Sequence, residues 1–252
     1  MKIIYNCQTL ELKWTDTEAL VHYLNYQAIP LPTRSDNPLL RRLQTGVYLD
    51  RFGMFHIQDF VNKTWPLVAR QGAKKILSVG SGVAIYELFL AQYLKDAHIT
   101  LVDRSAWTAE FPMTKERYCS NEHGHYNSWT VTEDAIAASG MDRQGFTLMT
   151  PEEEWPQDLD LVVSKGAWCW CFPMDTYWIQ LKSSLRVGGQ LLLEIPYTNL
   201  DYVDRISQEL GCEAVELARY HISGYPFANH VKFQTVNSDG YYGAAYLWTR
   251  SI

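Results

Sequence analysis

Ile76-Leu-Ser-Val-Gly-Ser-Gly-Val-Ala-Ile85 and Ile99-Thr-Leu-Val-Asp-Arg-Ser105 decide the fold of this chain. The first is a short apolar run that breaks into Gly80-Ser81-Gly82 and then enters a helical pattern. The second is another short apolar run, and it ends on the carboxylate of Asp103. Glycines let the backbone approach a ligand closely after a first strand. A carboxylate about 20 residues on, at the end of a second strand, can accept hydrogen bonds from ribose hydroxyls. Gly80, Ser81, Gly82 and Asp103 are therefore candidates for half a nucleotide site. Arg104 could stack on the base or be solvated. The plain alternatives are an ordinary strand-to-helix turn and a turn cap by Asp103.

Alternation spreads outward from that pair. Strands are expected at Ile76–Val79, Ile99–Val102, Phe146–Met149, Leu159–Val163, Gln190–Ile195, Ala214–Ala218 and Ala244–Thr249. Helices are expected at Ala84–Lys95, Val131–Ser139, from Asp175 or Thr176 to Leu185, and from Asn199 to Leu210. Strands alternating with helices imply a mostly parallel sheet with helices on both faces. Thr130 and Glu133 fit a capping box for the second helix, and Gly188-Gly189 reads as the stop of the third. Residues 1–73, with prolines at 30, 32, 38 and 66, read as a helical extension that could lid a site. Its helix candidates are Thr15–Tyr26 and Phe55–Val68. Residues 74–252 form the main domain.

Composition narrows the function. The 252 residues are 47% hydrophobic, enough for one sizeable core. The net charge is -6 and no basic cluster exceeds a pair, which disfavours nucleic acid. No apolar run reaches the roughly 18 residues of a membrane span. Five scattered cysteines are no disulfide framework, and the N-terminus is too short and polar for a signal peptide, so a reduced, cytoplasmic protein is expected. Cys169 and Cys171 lack a second ligand pair, so no metal is expected.

Three segments carry further chemistry. Trp168, Trp170 and Phe172 follow the fourth strand, where ligands bind in open sheets, and could wall a substrate pocket or pack a helix on the sheet. His123 and His125 lie in a long polar loop. Either could be a general base that takes a proton from an attacking hydroxyl or amine, or an incidental surface residue. His221, with Tyr225 and His230, is a secondary base candidate between the last two strands.

In that order and spacing, Val79-Gly80-Ser81-Gly82, Asp103, Asp158-Leu-Asp-Leu-Val-Val-Ser164 and Leu185-Arg-Val-Gly-Gly-Gln-Leu-Leu-Leu-Glu194 resemble the class I S-adenosylmethionine-dependent methyltransferases over about residues 74–250. The resemblance implies a Rossmann-like, seven-stranded sheet with an antiparallel last strand. It implies S-adenosylmethionine as cofactor, S-adenosylhomocysteine as product and a small-molecule acceptor. It places Ser164 in the cofactor site, Thr150 or a backbone amide against the adenine, and Asn127 and Tyr126 of a Tyr-Asn-Ser near cofactor and substrate. The chain departs from the family at Val79, where an acidic residue is usual one place before the first glycine, and at Ala84, where a third glycine is usual. Ala167 to Pro173 is a divergent form of a Ser-Trp-x-Phe-His-(Tyr/Phe)-Pro stretch found in small bacterial members, with Cys171 at the histidine.

The leading expectation is O- or N-methylation of a small, sugar-like or other hydroxylated metabolite. Against it stand a non-catalytic binding protein of the same fold and a nicotinamide-dependent dehydrogenase. The missing full Gly-x-Gly-x-x-Gly and the late strand pair argue against the dehydrogenase. The sequence leaves the oligomeric state open, a homodimer included.

Overall fold

Strands rich in Leu, Ile and Val are buried on both faces of a parallel sheet, and here they lie in the middle of one seven-stranded sheet. The computed structural model describes residues 2–5, 8–11, 72–82, 84–103, 129–170, 172–221, 239 and 241–252. Near the N-terminus, β1 (Lys2–Tyr5) and β2 (Gln8–Glu11) form an antiparallel hairpin. The main sheet is built from β3 (Lys75–Val79), β4 (His98–Val102), β5 (Phe146–Met149), β6 (Leu159–Ser164), β7 (Leu185–Pro196), β8 (Val215–His221) and β9 (Tyr241–Thr249). The helices are α1 (Ile85–Tyr93), α2 (Trp129–Ala138), α3 (Asp175–Ser184) and α4 (Asp201–Leu210).

The strand order is β5-β4-β3-β6-β7-β9-β8. Strands β3 to β7 run parallel, and β9 lies antiparallel between β7 and β8. This is the class I methyltransferase fold. Its chain order reverses between β3 and β6, so the ligand-binding crevice of such a sheet opens beyond their carboxyl ends.

Register separates the two faces. Ser78 pairs with Val163, and Val163 with Leu192. Side chains alternate along a strand, so Ser78, Val163, Leu192 and Glu194 share one face. Leu77, Val79, Val162, Leu191, Leu193 and Ile195 belong to the other, which carries the aromatic core. There Trp168 meets Trp155 edge-on at 6.4 Å and Tyr177 at 5.7 Å, and its indole Nε1 donates to the Met174 carbonyl at 3.0 Å. At the amino edge, Asp160 accepts from the Lys74 and Lys75 amides, both at 2.8 Å, and from Arg186 Nε at 2.7 Å. One carboxylate thus staples the starts of β3, β6 and β7.

Several local expectations change. Gly188-Gly189 does not stop a helix: α3 ends at Ser184, and both glycines lie inside β7. Gly189 must be glycine because a Cβ would lie 2.8 Å from the Leu159 carbonyl, where the β6–β7 register slips. Thr130 lies inside α2 instead of at its N-cap, and Glu133 pairs with Arg143 at 3.1 Å. Asn199 lies in a 3-10 turn before α4 and donates to the Cys169 carbonyl. The expected helices Thr15–Tyr26 and Phe55–Val68 fall outside the described residues.

Trp168→Ala is expected to lower unfolding free energy by about 3–5 kcal/mol, the range for emptying an aromatic site in a core. Chemical denaturation checks this, and a loss below about 1 kcal/mol would return Trp168 to a solvent-facing role.

Candidate functional site

The turn after β3 is built by crowding and by one charged acceptor. The Gly80 amide donates to the Val102 carbonyl at 2.8 Å, tying the exit of β3 to the end of β4. Gly80 has φ +70°, and a Cβ there would lie 2.2 Å from Cβ of Ala167. No other residue fits where the loop after β6 crosses this turn. Gly82 has φ +55°, and its amide donates to Asp103 Oδ2 at 2.6 Å. A carboxylate accepting from a backbone amide makes a strong, charge-assisted contact. Ala84 is left-handed at φ +61° and fully buried, at a cost of about 1–2 kcal/mol that a glycine would not incur.

Beside this turn lies a carboxylate that the sequence did not single out. Glu87, in the first turn of α1, is only 3% exposed. Ser78 Oγ donates to its Oε1, while Oε2 has no hydrogen-bond partner among the described residues. Burial pushes the Glu87 carboxyl up to about 7, against the Ser78 hydroxyl and its own backbone amide, which lower it. The charge of Asp103 raises it further and Lys165 lowers it. Val79, where the resemblance implies an acid, points into the core instead, and the polar neighbour on β3 is Ser78.

A second such group lies near the end of β7. Glu194 is 5% exposed and its Oε2 also lacks a hydrogen-bond partner among the described residues. Lys165, just after β6, holds its ammonium 3.8 Å from that oxygen. Burial raises the Glu194 carboxyl, and Lys165 acts against the rise. Glu87 and Glu194 lie on the side of the sheet that Ser78 faces, and Lys165 acts electrostatically on both.

The structure brings Gly80, Ser81, Gly82 and Asp103 together at the carboxyl edge. The Oγ of Ser81 is buried with no partner among the described residues. It places other candidates elsewhere. Ser164 is fully buried, donating to the Val79 carbonyl at 2.8 Å and accepting from the Trp168 amide at 2.9 Å. It therefore joins two strands and a loop in place of the expected open cofactor contact. Trp168 is in the core, not on a pocket wall, because its indole partner and ring neighbours all lie inside. Phe172 packs on that core, 6.2 Å from Tyr177, and Trp170 donates to the Glu194 carbonyl at 2.9 Å. The Thr150 amide is taken by Glu153 Oε1 at 2.6 Å, so it does not offer itself to a base. Cys169 is buried with its thiol pushed up to about 12 by desolvation, the opposite of a metal-binding thiolate. Among the described residues no cluster of His, Cys, Asp and Glu could hold a metal ion. His221 ends β8, while Arg104, His123, His125, Tyr126, Asn127, Tyr225 and His230 lie outside the described residues.

No family model matches the chain, and no curated protein matches it. Solved structures do resemble it. The O-methyltransferase TomG of Streptomyces achromogenes, solved with SAM, is 13% identical with a TM-score of 0.47, over 95% of this chain and 93% of that one. The precorrin-6y C5,15-methyltransferase of Geobacter metallireducens is 13% identical with a TM-score of 0.46, over 73% and 86%. An rRNA methylase of Streptococcus thermophilus is 11% identical with a TM-score of 0.42, over 78% and 96%.

Glu87 has a measurable cost. Its folded-state pKa of about 7 lies above its ordinary 4.5, so the stability it contributes is present below that value and lost as pH rises through 7. Glu87→Gln, which keeps an acceptor for Ser78, is expected to stabilise the free protein by about 1–3 kcal/mol at pH 8 and by much less at pH 5. Urea unfolding at both pH values reads the difference, and an equal effect at both would mean the carboxylate is not desolvated.

Proposed function

We propose that this chain is an S-adenosylmethionine-dependent methyltransferase acting on a small-molecule acceptor. The observation that carries the proposal is the bond from the Gly82 amide to Asp103 Oδ2, because it fixes a carboxylate at the end of β4 against the Gly80-Ser81-Gly82 turn. The class I methyltransferase fold puts both at the crevice where its chain order reverses.

The residues present fit the cofactor. The Gly82 amide lies on Asp103 at the end of β4, Asp103 can accept from ribose hydroxyls, and buried oxygens of Ser81 and Glu87 lack partners among the described residues. When bound, the cofactor would supply an activated methyl group on a sulfonium. The protein then aligns the acceptor, excludes water and receives its proton. His123 and His125 are proposed for that proton, with His221 as a reserve. Glu194 is a further candidate, since burial raises its basicity and its Oε2 lacks a hydrogen-bond partner among the described residues. Residues 1–73 are proposed to lid the site. Trp170 and Phe172, with Tyr126, are proposed to approach the acceptor, while Arg104 and Asn127 stay on the cofactor side.

The acidic balance supports a metabolite over nucleic acid, and O- or N-methylation of a hydroxylated metabolite is the proposed reaction. Among the described residues no helix is long and apolar enough to cross a membrane. A cytoplasmic location is proposed from the scattered cysteines.

Calorimetric titration with S-adenosylhomocysteine is expected to show micromolar binding. Asp103→Ala should lose about tenfold or more, since it removes both the charge and the acceptor that holds Gly82. Asp103→Asn, which can still accept from the Gly82 amide, separates the two roles. A folded protein that binds neither cofactor nor product would favour the non-catalytic binding protein instead.

A further inference from the structure

Glu87 is a buried side chain in need of a donor. One carboxylate oxygen is committed to Ser78 and the other has no hydrogen-bond partner among the described residues, although the group is almost fully buried. Leaving such an oxygen unmatched costs about 1–3 kcal/mol, more when it is charged. A glutamine would accept from Ser78 at no charge penalty, so the chain keeps a carboxylate where a neutral side chain would fold better.

The surroundings restrict what could match it. Glu87 is surrounded by Ser78 from β3, Asp103 from the end of β4 and Lys165 from the loop after β6. Asp103 is engaged with the Gly82 amide and Lys165 stands 3.8 Å from Glu194. Among the described residues, Lys165 is thus divided between Glu87 and Glu194, and the charge of Asp103 adds to the negative field on Glu87. A cationic donor suits this place better than a hydroxyl or an amide, because it supplies the hydrogen bond and offsets the excess charge.

We propose that Glu87, presented by α1 and held by Ser78, takes the ammonium of the amino-acid end of the S-adenosyl ligand, in place of an acidic residue on β3. The proposal rests on the cofactor assignment above and adds to it the group that reads the amino-acid end. An acid on β3 at Val79 would point into the core, whereas Ser78 faces α1 and clamps Glu87. The departure at Val79 is thereby made good from the helix. Arrival of an ammonium favours the ionised form of Glu87, so binding near neutral pH expels a proton from it.

The test uses the full chain and two product-like probes, S-adenosylhomocysteine and methylthioadenosine. The second has the thioether nucleoside without the amino-acid end. Both are titrated calorimetrically at neutral pH in two buffers of different ionisation heat. Wild-type protein is expected to prefer S-adenosylhomocysteine by about tenfold or more. It should release up to about half a proton per site with that ligand and none with methylthioadenosine. In Glu87→Gln the preference should vanish: S-adenosylhomocysteine weakens about tenfold while methylthioadenosine stays within about twofold.

Equal weakening of both ligands would reduce Glu87 to a support of the turn and overturn the proposal, as would an undiminished preference in the variant. The wild-type proton count stands without the variant, and its absence with S-adenosylhomocysteine also overturns the proposal. Wild-type protein that binds neither ligand would bring down the methyltransferase assignment itself, a separate result from a variant that merely keeps its preference.

Discussion

Everything at the carboxyl edge depends on the close approach of Gly80 to Ala167. The loop leaving β6 crosses the turn leaving β3 so closely that a single methyl on residue 80 would overlap its neighbour. The missing side chain permits both that approach and the positive φ at Gly80, and the chain then turns toward α1 with the Gly82 amide on Asp103. The same loop carries Ser164, whose hydroxyl bonds the Val79 carbonyl and the Trp168 amide and so fixes the crossing from below. Protein interiors are close-packed, so a displaced turn would move the start of α1 and Glu87 with it.

Much of the fold was legible in the sequence because the strands are dense apolar runs separated by turn residues. Such runs state their type through length and β-branched content, whereas the antiparallel last strand came from the family resemblance. What the sequence misplaced depends on partners far along the chain. Gly188-Gly189 carries the local signature of a helix stop. Only the Leu159 carbonyl, 2.8 Å from where a Cβ would stand, makes Gly189 part of a strand irregularity. The Thr130–Glu133 cap was misplaced because the helix already contains Thr130, and Glu133 meets Arg143, which a four-residue window does not contain.

The candidate site was legible in its backbone and hidden in its charges. Glycines and a strand-end aspartate follow a spacing rule, so Gly80, Gly82 and Asp103 could be named from the sequence. Trp168 could not be placed by position alone, since an indole after a strand serves a pocket or a core equally well. Its donation to the Met174 carbonyl decides for the core. Glu87 and Glu194 gave no signal, as one sits in a helix and the other closes an apolar strand. The one available hint was a charged residue at a position whose neighbours along the strand, Leu193 and Ile195, are fully buried.

The two unmatched carboxylate oxygens explain why this edge is arranged against its own stability. A buried acid without a full set of donors favours its protonated form, which is why burial raises both groups. Lys165 offsets part of that cost, yet at 3.8 Å it makes no hydrogen bond to Glu194. An apolar replacement at either position would relieve the strain of desolvation and leave the sheet intact, because neither carboxylate holds strands together in the way Asp160 does at the opposite edge. The contrast between the edges is the informative one. At the amino edge a carboxylate is matched by two amides and a guanidinium, and its role ends with the fold. At the carboxyl edge two carboxylates are each left one donor short among the described residues. Stability is given up there, among the described residues, in a form that an added donor would restore.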